Sequence, residues 1–594
     1  MRYLLQARSA RMLLGGALFL TAACYRLVGD DVGSFQALAK SYVDQMPALS
    51  PVSATQIGDH RFDDQLDDVS PVTRERILAF CKGFLERLDE IDRGALPRDL
   101  QVDAALLKNE LQQRVWHLET FQDWAWNPLI YTGKAGGAIY GLMAREFAPT
   151  AVRLQRVTDR LEKLPSFFEQ VRATIDPERV PSVHAETAVK QNRGVLSIID
   201  DMVLPLAGAL GGGERQRLES AIAHTRQAVE EHGRWLEEAI VPHAKGDFRI
   251  GRRLFDQKLA FALHTPLSRE DVKLRANQAF EAVRSEMYEV SRRIYLRQFP
   301  LTQFPEAPSD AYQQSIIRSA LEMTYLDRPA RGEIPDVARA QVKEATEFVI
   351  ANEIVTMTED PLEIILMPEF QRGVSFAYCD APGPLDKGLK TFYAVSPIPT
   401  NWTEKQVSSF LREYNTWSMQ DLTMHEAVPG HYLQLAHSNQ YPSTLRALLS
   451  SGTFVEGWAV YSERVMVDAG YLGGDDRMRL INLKWYLRGI TNAMMDQAIH
   501  VDGMTRAEAM QLMVEGGFQE EREAAGKWTR AQLTSAQLST YFVGTQEHWD
   551  MRGQVEKAWG DTFSLKKYHD SILSFGSPPV QFVKALVLGT EIPE

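Results

Sequence analysis

The sequence predicts a mainly α-helical fold, on three observations. Apolar residues recur at helical spacing between charged ones over long stretches. Short β-prone runs are confined to one region, between residues 362 and 396. The composition, 594 residues with 44% hydrophobic and 24% charged, is that of a large globular chain. It is unlike a disordered segment or a multi-span membrane protein. The net charge of −13 argues against a general nucleic-acid binder.

The chain opens with Arg2, Arg8 and Arg11, no acid, and a short apolar stretch from Met12 to Ala23. This is the layout of a signal peptide over residues 1–23, too short for a comfortable transmembrane helix. It ends in Thr21-Ala22-Ala23-Cys24. Small residues before a cysteine resemble a bacterial lipobox, with Thr21 where leucine is more usual, so Cys24 is the expected lipidation point. The alternative is an ordinary secretory signal. Either way export is expected; on the lipobox reading the chain sits in the bacterial cell envelope, facing the periplasm and meeting the membrane only through a lipid anchor. Cys81 and Cys379 are the remaining thiols, too few to define a disulfide framework.

Residues 24–594 read as one mainly helical domain with room for two lobes around a cleft. Helices are predicted over Arg74–Ile91, Asp99–Leu118, Thr150–Ile175, Glu214–Ile240 and Asp271–Leu296. Further ones follow over Val337–Asn352, Trp417–Asn439, Thr453–Gly470, Arg477–His500 and Thr505–Glu515. Their starts are often marked by Ser, Thr, Asp or Pro and their stops by Gly or Pro. Gly211-Gly212-Gly213 reads as a flexible turn; a phosphate cradle would need a preceding strand and a Lys-Ser/Thr. Leu362–Met367, Val374–Cys379 and Thr391–Ser396 form the β-prone region, expected as a small sheet just before the densest cluster of chemistry-bearing residues.

That cluster is Asp421–Gln434, DLTMHEAVPGHYLQ. His425, Glu426 and His431 are the ingredients of a zinc hydrolase: two neutral imidazoles for the ion and a carboxylate to take a proton from water. Histidines at i and i+4 lie about 40° apart on a helix, whereas i and i+6 lie about 120° apart. Val428-Pro429-Gly430 between them supplies a remedy, because proline and glycine permit a distortion that would bring His431 back beside His425. Downstream, FVEGWAVYSE places Glu456 as the simplest third ligand. Glu463 lies seven residues on, nearly the same helical face, and is expected to hold an imidazole or a substrate group. Asp421, one turn before His425, is another candidate to orient that ring. His437 reads as packing or surface, and Trp458 and Tyr461 as core or cleft wall.

HEAVPGHYLQ, EGWAVYSERVMVDAGY and DQAIH together resemble a large bacterial family catalogued as a domain of unknown function, many of its members lipoproteins. The resemblance extends through YFVGTQEH and YHDSILSFGSPP and back to TQIGDHRFDDQLDD, so it covers most of the mature chain. It implies a fold similar to helical zinc peptidases of the oligopeptidase and angiotensin-converting type, a bowl with a deep channel and a small sheet near the active site. On that likeness one Zn²⁺ is held by His425, His431 and Glu456, with Glu426 as general base. Tyr541, His500 and His569 are the candidate donors to a developing oxyanion. Arg488 and Arg552 are candidates for a substrate carboxylate. Phe392–Val395 is read either as an edge strand for an extended peptide or as a plain core strand. The expected function is hydrolysis of short peptides. The alternatives are a non-catalytic peptide-binding lipoprotein and a metal-dependent amidase acting on cell-wall material. His/His/Glu also suits manganese or cobalt.

Overall fold

A computed structural model of the chain describes residues 31–368 and 376–594. The signal segment, Cys24 and the start of the Val374–Cys379 run lie outside the described residues.

The fold is mainly α, with one small sheet, as the periodicity predicts. Boundaries follow local chemistry. Pro71–Asp89 starts on a Ser70 cap that accepts from the Thr73 N–H, with proline in the first turn. Arg269–Gln298 starts on a capping box between Ser268 and Asp271. The predicted 150–175 helix is two, Thr150–Leu161 and Leu164–Thr174, the second opening with Pro165. The Gly211–Gly213 turn is shorter than expected: Gly211 caps a helix that already begins at Gly212.

Three strands form the sheet: β1 (Leu362–Leu366), β2 (Ala377–Asp380) and β3 (Thr391–Val395). Their order is β1-β3-β2, with β1 parallel and β2 antiparallel to β3. β3 is therefore central, paired on both sides. This corrects the edge-strand reading of Phe392–Val395: within the described sheet the edge beside the site is β2. Tyr393, Ala394 and Val395 are fully buried, as a central strand requires.

The largest apolar cluster joins this sheet to the helices Thr416–Glu426, Gly452–Asp468 and Ser539–Trp559 through Tyr393, Met424, Phe454, Trp458 and Met551. A second cluster is built from helices between residues 129 and 240. Among the described residues, no helix is long and apolar enough to cross a membrane. Cys81 and Cys379 are free thiols.

Candidate metal centre

The segment carrying both histidines is two helices. Thr416–Glu426 begins on Asn415, whose side chain accepts from the backbone N–H of Trp417 and Ser418. It ends at Glu426, and a new helix, His431–Ser438, begins five residues later. The expected distortion is thus a complete break, with a cis Val428–Pro429 bond inside it. Gly430 is the close-approach point: a Cβ there would lie 1.8 Å from the carbonyl oxygen of His425. No side chain fits that distance. Trp458 pins the break from outside, its indole N–H donating to the Pro429 carbonyl at 2.8 Å.

The break brings the imidazoles together, with ring centroids 4.7 Å apart and planes nearly perpendicular. Glu456, on Gly452–Asp468, completes the group. Its Oε2 lies 3.8 Å from His425 Nε2 and 3.4 Å from His431 Nε2. One donor atom from each of the three lies within 4.8 Å of the others. Ligands about 2.0–2.1 Å from a tetrahedral ion sit about 3.3 Å from one another; the three donors here stand somewhat wider apart and would draw in around a cation of that size.

Charge in the site follows from burial and proximity. Burial and the neighbouring His431 hold His425 below its ordinary pKa. His431 is also buried, but the hydrogen bond and charge of Glu456 outweigh this and raise it. Glu456 is lowered against its burial by the two imidazoles, helped by the Tyr541 hydroxyl. A carboxylate and a lone-pair nitrogen therefore face inward, as ligation requires.

Glu463 holds His425 as expected, with Nδ1 to Oε1 at 2.6 Å. That contact leaves Nε2 aimed at the cation position. Asp421 does not reach the ring as expected. It pairs with Glu463 instead, and Asn482 Nδ2 donates to Asp421 at 3.0 Å and to Glu463 at 3.4 Å. Burial pushes both carboxyls well up; the Glu463 charge pushes Asp421 further, whereas the hydrogen bond from Asp421 draws Glu463 back. The two carboxyls thus hold a proton between them, while Glu463 Oε1 accepts from His425 Nδ1. His431 Nδ1 is buried and has no hydrogen-bond partner among the described residues, so the two rings are not backed alike.

Glu426 closes the first helix beside the group. Its Oε2 accepts from the Cys379 backbone N–H of β2 at 2.9 Å. Phe376 O accepts from Ser396 N, so alternate β2 residues turn their backbone the other way. Ala377 and Cys379 thus direct backbone groups away from β3, and both line the metal-side cavity.

That cavity has a volume of about 480 Å³ and is also lined by Tyr414, Trp485, Arg488, Asn492, Lys527 and Tyr541. Tyr541 is the one expected oxyanion donor brought to the group: it hydrogen-bonds Glu456 and accepts from Arg530 Nη2 at 3.1 Å. Burial and the Glu456 charge push its hydroxyl up to about 12, so it stays a proton donor. The other two histidines are structural. His500 Nε2 bonds the carbonyls of Ala531 and Thr534, and its ring stacks on Phe255. His569 is held between the Ile354 carbonyl and the Tyr461 hydroxyl. Neither lines the cavity, because their helices turn those positions into the core.

Arg488 lines the cavity but is ion-paired with Glu523. Arg552 lies outside it, over the Trp549 ring at 5.2 Å and hydrogen-bonded to Tyr461. His437 bonds the Thr356 carbonyl at the surface. Sequence reasoning missed Lys527 and Arg530, both in the cavity wall. Their segment, EREAAGKWTR, carries charges all along it, and no signal in the sequence tells which of them face inward.

Residues 51–587 match the model of a family described as bacterial protein of unknown function (DUF885). The chain belongs to this family. Among solved structures it is similar to a candidate lipoprotein of unknown function from Shewanella oneidensis, with 33% identity and a TM-score of 0.78. That match covers 93% of this chain and 99% of the other. It also shares its fold with a candidate lipoprotein from Colwellia psychrerythraea, at 16% identity and a TM-score of 0.73, over 93% and 98% of the two chains. No curated protein matches this DUF885 chain.

Proposed function

We propose that this DUF885 protein is a zinc-dependent peptidase acting on short peptides at the cell envelope, anchored by a lipid on Cys24. The observation that carries the reading is the convergence of His425 and His431 with Glu456 across a helix break, with Glu426 alongside. A Zn²⁺ ion held by those three residues would supply Lewis acidity, activating water and polarising a carbonyl.

The chain's own residues supply the rest. Glu426 is fixed by the Cys379 N–H through one oxygen, which leaves the other free to take a proton and return it to a leaving amine. The Tyr541 hydroxyl lines the cavity and donates to Glu456; turned from that carboxylate, it would donate to negative charge developing beside it. The outward backbone groups of Ala377 and the outward carbonyl of Cys379 suit an extended peptide added to the β2 edge.

Metal analysis of the purified chain and a fluorogenic peptide panel test the proposal. Bound zinc together with turnover supports it. Glu426→Gln is expected to keep the metal, because Gln still accepts from Cys379, and to lose activity by about 10²-fold or more. Wild-type turnover by that variant would overturn the assignment.

A further inference from the structure

The Glu521–Leu533 helix runs along the cavity and turns Lys527 and Arg530 into it. The two are three residues apart and share a face. Lys527 is only 6% exposed, and its ammonium makes no hydrogen bond or ion pair among the described residues. Arg530 donates to neutral groups, Gln537 Oε1 and Tyr541 Oη, each at 3.1 Å. The nearby acids are already engaged, Glu456 with the two imidazoles and the Tyr541 hydroxyl. Glu523 holds Arg488 and accepts from the Tyr414 hydroxyl at 3.0 Å, and Glu413 holds Lys484 at 2.9 Å. Burying a cation without a partner is costly, and burial with Arg488 and Arg530 nearby drives the Lys527 pKa well down. An arriving anion removes that cost.

The location says which anion. Lys527 and Arg530 line both the metal-side cavity and a larger adjoining one of about 1000 Å³. Arg530 is joined to Glu456 through a single hydroxyl, that of Tyr541. A group held there lies about one or two residues of extended chain from the cation position, at about 3.3–3.6 Å per residue.

We infer that Lys527 and Arg530 form a carboxylate-binding subsite that captures a carboxylate of a short peptide lying across the site. This rests on the peptidase reading. Where the captured group is the chain terminus, cleavage falls within one or two residues of the C-terminal end. An aspartate or glutamate side chain offers the same chemistry from a different source.

Titration calorimetry with the full mature chain carrying Glu426→Gln tests this, both zinc-loaded and chelated. The probes are N-acetyl-Ala-Phe-Ala, its C-terminal amide, and N-acetyl-Ala-Phe-Asp amide. The free acid is expected to bind roughly 10- to 100-fold more tightly than its amide, as befits a charge-assisted hydrogen bond in a buried setting. Tight binding of the Asp amide as well supports the subsite and assigns it to side-chain carboxylates. Equal, weak or absent binding of all three probes overturns it. Lys527→Met should erase the difference while its Tm stays at or above the parent's, since an unpartnered charge is replaced by an apolar chain of similar shape. The acid–amide comparison itself needs no substitution at the subsite, so a poorly folding variant does not shield the idea. Peptide cleavage by the wild-type chain is read separately. Cleavage without carboxylate discrimination overturns the subsite alone, and discrimination without cleavage overturns the peptidase reading alone.

Discussion

Gly457 lies against Gly544 where two helices cross: a Cβ on Gly457 would come within 2.4 Å of the Gly544 carbonyl carbon. The same crossing puts a Cβ on Gly544 only 2.0 Å from the Thr453 carbonyl oxygen. Gly457 follows Glu456, and Gly544 lies three residues after Tyr541, so the backbone contact sets how far apart those two side chains start. Gly544→Ala is expected to force the helices apart, at about 1–3 kcal/mol of stability. Cobalt affinity, read by absorption, should fall together with the Tm. An unchanged cobalt spectrum would show that the crossing does not hold the ligand.

Gly430→Ala places a methyl against the His425 carbonyl, where no flexible side chain can yield. It should separate the imidazoles and abolish metal binding, with the far-UV circular dichroism largely retained. Zinc content measured on the folded variant checks this.

Glu463 and Asp421 are expected to differ. Glu463→Gln removes the acceptor behind His425 and should weaken zinc binding about 10- to 100-fold. Asp421→Asn replaces a carboxyl whose pKa burial and Glu463 raise, and which does not touch the ring, so its effect on affinity should be small. Competition with a chromophoric chelator measures both, and an equal loss in the two would refute the view that only Glu463 backs the ring.

Tyr541→Phe removes a hydroxyl and little else. If it serves the developing charge, kcat should drop about 10²- to 10³-fold with KM little altered. A change confined to KM would assign the hydroxyl to substrate binding.

Acid should destabilise the fold in a defined window. Burial takes His569 from its ordinary 6.5 to about 4 and His548 to about 3. Both stay neutral in the folded chain while the unfolded chain takes up protons below 6.5. Their contribution is complete above pH 6.5 and is lost as pH falls toward 4 and then 3. Thermal melts from pH 7.5 to 4 should show Tm falling with acid, and His569→Gln should flatten that slope. A flat wild-type profile would contradict the burial argument.

The helices were legible because a 3.6-residue apolar period survives nearly any tertiary context, and the three β-prone runs each became a strand. The His425–His431–Glu456 group was legible from residue type and from the Pro-Gly between the histidines. What the sequence did not disclose is orientation. His500, His569 and Arg552 have the right chemistry, but their helices turn them toward carbonyls and rings of the core. Lys527 and Arg530 sit in an ordinary-looking charged helix whose inward face only packing selects. Strand order within the sheet was equally hidden, since β1, β2 and β3 are all short and apolar and only the third dimension puts β3 in the middle.

The bond from Cys379 N–H to Glu426 spends the last outward donor of β2 on the protein itself. A guest strand laid along that edge therefore runs out of ladder at the carboxylate. Its next peptide group would lift off the sheet there, stripped of a backbone neighbour and beside the carboxylate of Glu426. On the proposed peptidase reading, a guest would be measured by where the pairing stops, and the bond left hanging at that frontier would be the one offered for scission.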